Sequence, residues 1–94
     1  MTDVARAFAP DWVSPPGSTV ADLLEERSWT QQALAQRSGF TTKHISLLIN
    51  GKAPITEDTA VKLERVLGST VRFWIAREAQ YREALVRLGE RESP

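Results

Sequence analysis

Residues 30 to 52 read "TQQALAQRSGFTTKHISLLINGK", a stretch that holds Arg37, Lys43 and Lys52 and no acid, in a chain where 12 Lys and Arg balance 12 Asp and Glu. Widened to run from Arg27 to Thr56, the window gains Arg27 and still no carboxylate, for a local charge of +4. Such residues suit recognition of a polyanion: cations neutralise phosphates, while hydroxyl, amide and ammonium groups hydrogen-bond to base edges. Bond-making chemistry finds no comparable support. His44 is the only histidine and there is no cysteine, so no metal is expected. No Ser, His and acid set stands at usable spacing and no glycine loop cradles a phosphate, so neither an enzyme nor a cofactor is expected.

Those side chains need short, well-stopped helices to hold them. Thr30 caps "QQALAQR", whose Leu34 and Ala35 face inward, and Gly39 stops it. Thr41 caps "TKHISLLI", where Ile45, Leu48 and Ile49 form an apolar stripe at i, i+3, i+4, before Asn50 and Gly51 end it. A small residue at the helix crossing, a glycine in the turn and a branched anchor in the second helix define a helix-turn-helix, and Ala35, Gly39 and Ile45 take those roles. Thr42, Lys43, Ser46 and Leu47 then lie opposite or beside the buried stripe, near the helix N-terminus, and are expected to reach bases. The free amides and positive dipole ends of both helices favour phosphates, which explains the clearing of acids.

Ahead of this pair, "VADLLEER" is expected to form a helix capped by Ser18 or Thr19, with Val20, Leu23, Leu24 and Arg27 at helical spacing. After it, Thr56 caps "EDTAVKLERVL", with acids in the first turn and Gly68 as the stop. The final segment, "TVRFWIAREAQYREALVRLGE", carries Trp74, Tyr81, Leu85 and Leu88 on one seam and runs unbroken until Gly89. The expected fold class is all-α: five helices with a helix-turn-helix and an extended C-terminal helix. It divides into an irregular arm over 1–17, a four-helix DNA-binding core over 18–68, and a C-terminal helix with a polar tail over 69–94. At 94 residues, the chain has room for one core. It has no apolar run long enough to span a membrane, which makes the cytoplasm the default location. Trp12, among the prolines of the arm, is expected to dock on its own domain. Phe73, Trp74, Tyr81 and Leu85 are expected at a two-fold dimer contact, with two recognition helices about 34 Å apart on an inverted repeat.

Gln31, Ala35, Gly39, Ile45, "INGKAPITEDTA", "LERVLG", "PPG" at 15–17 and "FW" at 73–74 followed by "YRE" together resemble phage-repressor-like (XRE) helix-turn-helix proteins, within them the HigA/VapI antitoxins. The resemblance covers about residues 15–85. It implies a homodimer that binds a palindromic operator in double-stranded DNA before its own operon and pairs with a HigB-type toxin, an endoribonuclease similar to the RelE fold. Base-reading places of the family fall on Thr42, Lys43, Ser46 and Leu47, with Lys43 expected to meet guanine O6 and N7 for about 1 to 3 kcal/mol of discrimination. Leu47 departs from the polar residue often found there; it meets a thymine methyl or extends the core. Phosphate-contacting places fall on Gln31, His44, Asn50 and Lys52, and Arg37 and Thr41 are grouped with them.

Two alternatives stand beside this reading: a solitary regulator of the XRE family, and a toxin-binding module without significant DNA binding. Similar domains also occur ahead of a zinc-peptidase domain, but the His-Glu-x-x-His motif is missing and the chain ends in polar "GERESP", which favours a stand-alone protein.

Overall fold

A computed structural model describes residues 14–92, so the readings of Phe8, Trp12 and Val13 in the arm, and of residues 93–94 of the tail, lie outside the described residues. Five helices follow in order: α1 (Gly17–Arg27), α2 (Gln31–Ser38), α3 (Thr42–Ile49), α4 (Glu57–Leu67) and α5 (Val71–Glu92). No strand occurs among the described residues. This is the all-α architecture expected.

The three threonines mark the helix starts as their chemistry requires. Thr30, Thr41 and Thr56 are extended, and each hydroxyl accepts from the amide three residues on, at 3.0 Å from Ala33, 3.0 Å from His44 and 3.3 Å from Thr59. Each such cap is worth about 1 kcal/mol. Gly39 ends α2 at φ +86, a left-handed conformation that glycine adopts with least strain, and its amide donates to the Ala35 carbonyl. Thus the turn between α2 and α3 is closed from both sides.

α1 begins earlier than expected. Neither Ser18 nor Thr19 is its cap: their amides already donate to the Pro15 and Pro16 carbonyls, at 2.9 and 3.0 Å, and no side chain caps the helix. Proline presets a helical φ at a helix start, which lets the "PPG" run serve as the first turn. Gly17 is there for space, because a Cβ at that position would stand 1.9 Å from the Leu48 carbonyl oxygen. The start of α1 therefore packs directly on the end of α3. At the other end of α1, Ser28 takes the left-handed conformation at φ 57, a place where glycine is favoured.

α5 also runs past its expected stop, continuing through Gly89 to Glu92. One glycine weakens a helix by about 1 kcal/mol without breaking it. Glu78 with Arg82 (2.6 Å) and Glu83 with Arg87 (3.5 Å) form i, i+4 pairs along the same helix.

A single apolar cluster joins Val20, Leu24, Leu34, Ala35, Ile45, Leu48, Ile55, Ala60, Leu63, Leu67 and Trp74, with Leu23 and Ile49 at its rim. Trp74 is 0% exposed, which corrects its expected place at a dimer contact: the ring is spent on its own core and has no surface left for a twin. Polar ties lock the helices around the cluster. Arg27 donates to the Leu67 carbonyl at the end of α4 (2.9 Å), Arg77 donates to the Pro15 carbonyl (3.1 Å), and Glu78 accepts from the Ile55 amide (3.1 Å). Among the described residues no helix is long and apolar enough to cross a membrane.

Candidate nucleic-acid interface

α2 and α3 are each eight residues long and pack on one another through Leu34, Ala35, Ile45 and Leu48. Ala35 and Gly39 let the pair close without a bulky side chain at the crossing. With Ile45 and Leu48 committed inward, the helical period leaves Thr42, Lys43, Ser46 and Leu47 on the remaining side of α3. Thr42 and Lys43 are exposed, while Ser46 and Leu47 are half-buried. Lys43 has no ion pair among the described residues. An exposed ammonium beside the exposed Thr42 hydroxyl, at the amide end of a helix, is suited to accepting groups and negative charge.

The end of α3 is held by its own neighbours. Asn50 Nδ2 donates to the Ser46 carbonyl at 2.9 Å and lies 3.4 Å from the Ser46 hydroxyl. The amides of Lys52 (2.8 Å) and Ala53 (3.2 Å) both donate to the Leu47 carbonyl, folding "NGK" back across the helix end. Gly51 makes that fold at φ +73, packed so closely that a Cβ would lie 2.8 Å from the Pro15 ring and 3.1 Å from the Tyr81 hydroxyl. Lys52 is left exposed and, among the described residues, without an ion pair.

The expected phosphate-contacting residues divide into two groups. Gln31 is exposed in the first turn of α2, and Thr41, though exposed, uses its hydroxyl as the cap of α3. Arg37 lies at the far end of α2, yet its guanidinium folds back over the Trp29 ring at 4.4 Å, which carries the charge towards the start of that helix. His44 differs from the expected exposed or phosphate-facing residue. Its ring lies against Phe40 with centroids 4.7 Å apart and planes tilted by 37°, and its Nε2 is buried without a hydrogen-bond partner among the described residues, so that nitrogen is not presented to a ligand.

Further side chains brace this surface. Trp29 is a half-buried platform with Arg37 on it and Arg27 at 5.7 Å. Its position just before the Thr30 cap is where an apolar staple often sits, a signal that was available. Lys62, on α4, places its ammonium 4.8 Å from the Phe40 ring and 3.3 Å from Asp58, so a fourth helix supports the turn. Nothing local announces that contact. Ser38 braces the same turn, donating to the Leu34 carbonyl (2.7 Å) and accepting from the Phe40 amide (3.3 Å). Of the side chains expected at a dimer contact, Phe73 is 38% and Leu85 36% exposed, whereas Tyr81 is half-buried with Arg82 over its ring. Among the described residues no group of acids and His is placed to hold a metal ion.

With this geometry in view, comparisons with known proteins fall into place. Over 54 residues the chain is 39% identical to antitoxin HigA-1 of Vibrio cholerae, covering 57% of this chain and 50% of that relative. It spans between half and two thirds of the length of the curated relatives it matches. Among solved structures, an addiction module antidote protein of the HigA family from Coxiella burnetii superposes with a TM-score of 0.68 at 28% identity, covering 84% of this chain and 92% of that one. The Pseudomonas aeruginosa antitoxin HigA with higBA promoter superposes with a TM-score of 0.73 at 21% identity, over 85% and 94% of the two chains, a likeness of fold alone. The family model described as helix-turn-helix matches residues 20–74, more than half of the sequence, and the chain belongs to that family.

Proposed function

We propose that the protein is a sequence-specific DNA-binding autorepressor and the antitoxin of a toxin-antitoxin pair, acting in the cytoplasm. One observation carries the DNA-binding part: the outward side of α3 presents Thr42, Lys43, Ser46 and Leu47 from a segment without acids, and Lys43 has no ion pair among the described residues. Recognition helices of this family enter the major groove with their N-terminal residues against base edges. Lys43 is assigned to guanine, Thr42 and Ser46 to hydrogen-bonding edges, and half-buried Leu47 to a thymine methyl. Gln31, Arg37, Thr41, Asn50 and Lys52 surround them as phosphate-side groups.

A single copy has few cations here, so a two-fold dimer reading an inverted repeat supplies the affinity. Phe73 and Leu85, on exposed parts of α5, are the dimer residues in this proposal. The toxin follows from kinship: a protein 39% identical is an antitoxin, and a fold neighbour at 28% is an addiction module antidote protein. The partner is accordingly an endoribonuclease of the HigB type. No chemical step is assigned to this chain.

Footprinting on the DNA upstream of its own reading frame tests the first half of the proposal. Protection of two half-sites one helical turn apart is expected. Uniform, salt-sensitive coating of any duplex would contradict sequence-specific repression. Co-expression with the neighbouring reading frame tests the second half, through rescue of growth and a stable complex.

A further inference from the structure

The arginines that are fixed in place are fixed in two ways. Arg27, Arg77 and Arg82 each commit a donor to oxygen, on the Leu67 carbonyl at 2.9 Å, the Pro15 carbonyl at 3.1 Å and the Glu78 carboxylate at 2.6 Å. Arg37 is held without committing one. Its guanidinium carbon lies 4.4 Å from the centre of the Trp29 ring, and among the described residues it meets no carboxylate and donates no hydrogen bond. An aromatic face attracts a guanidinium through the ring quadrupole and takes up none of its N–H groups, so the side chain is oriented while its fork of donors stays open.

The platform under it is itself anchored. The Trp29 amide donates to the Leu24 carbonyl at 2.8 Å, the next residue is the Thr30 cap of α2, and the half-buried ring packs against the apolar cluster. Long side chains on a helix lean towards its N-terminus, so Arg37, seven residues after that cap, reaches back over the ring. Arg27 places a second guanidinium 5.7 Å from the same ring, and no acid lies in the sequence between Arg27 and Thr56. Neighbouring charge of one sign repels a cation and attracts an anion.

We propose that Trp29 is a positioning residue for DNA binding: its ring holds Arg37 in advance in the orientation that forks onto a backbone phosphate, an inference that rests on the DNA-binding reading above. A phosphate accepts two donors from one guanidinium, and a side chain already ordered loses less freedom in meeting it. The ring acts through Arg37. Because backbone phosphates carry no sequence information, Trp29 contributes affinity for any duplex, while bases are read on α3.

Two measurements test this. In the DNA-free protein, the δ-protons of Arg37 are expected to be shifted upfield by the ring current of Trp29, and to return to their ordinary position in Trp29→Leu, which keeps an apolar side chain and removes the aromatic face. In titrations, Trp29→Leu is expected to lose about 3- to 10-fold in affinity for the duplex upstream of the reading frame and for a scrambled duplex alike. Trp29→Tyr is expected to restore most of that loss, and Trp29→Leu to add nothing in an Arg37→Ala background. Ordinary Arg37 shifts in the wild-type protein would overturn the proposal, whatever the variants do. So would full affinity in Trp29→Leu, an equal loss in the Arg37→Ala background, or no recovery in Trp29→Tyr. Failure of the wild-type protein to bind either duplex at low salt would overturn the DNA-binding reading and this role with it, while the Arg37 shift would still report the stack.

Discussion

α3 and α5 both expose charged side chains, and they use them in opposite ways. On α5, Arg82 and Arg87 are met by Glu78 and Glu83 one turn earlier, so the charge is settled within the helix. On α3 and the loop after it, Lys43 and Lys52 have no ion pair among the described residues. Exposed i, i+4 pairs add only a few tenths of a kcal/mol, yet they leave nothing for a ligand to neutralise. Unpaired cations on a segment free of acids contribute little to folding and are available for binding. A short helix that must offer its surface is held from its ends, by Thr41 and by Asn50 with the "NGK" fold. A long helix can be held by its length and its own pairs.

The largest expected effect separates two adjacent aromatic residues of α5. Trp74→Ala removes a ring at 0% exposure and is expected to cost about 3 to 5 kcal/mol in urea unfolding. Phe73→Ala, at the exposed neighbour, is expected to cost under about 1 kcal/mol while lowering the dimer fraction in sedimentation. Comparable losses at the two positions would erase the distinction between core and contact side.

Lys43→Ala comes next and acts on binding alone. Affinity for the upstream duplex is expected to fall by about 1 to 3 kcal/mol with the unfolding midpoint unchanged. Lys52→Ala is expected to reduce the salt dependence of binding by about one unit of slope, equally for all sequences.

Thr41→Ala is expected to cost about 1 kcal/mol of stability, because the α3 amide it serves loses its acceptor. Ser28→Gly is expected to add about 1 kcal/mol by relieving the left-handed residue at the end of α1. Arg87→Ala, which breaks a pair whose two side chains are about two-thirds exposed, is expected to stay within about 0.5 kcal/mol by the same measurement.

Features set by neighbours in sequence were legible before any coordinates. Caps at Thr30, Thr41 and Thr56, the left-handed Gly39 and the apolar stripe of α3 follow from local spacing, and so does the outward position of Thr42 and Lys43. What depends on long-range packing was not legible. Gly17 reads as the end of an irregular arm until Leu48 is seen against it, and His44 reads as a phosphate-side residue until Phe40 covers part of its ring. Trp74 reads as well on an interface as in a core, because both are apolar; only the position of α4 and α5 decides. Arg37 was legible as a cation but not as one turned over Trp29, since a flexible side chain of that length reaches several neighbours.

Amide spectra of the full chain, titrated with the duplex upstream of its reading frame, test most directly which surface meets DNA. The signals of Thr42, Lys43, Ser46 and Leu47 are expected to move first and furthest, followed by Gln31 and Lys52, while Arg82 to Leu88 stay in place. Movement confined to α1 or to the second half of α5, with α3 unaffected at a duplex concentration that saturates binding, would contradict it.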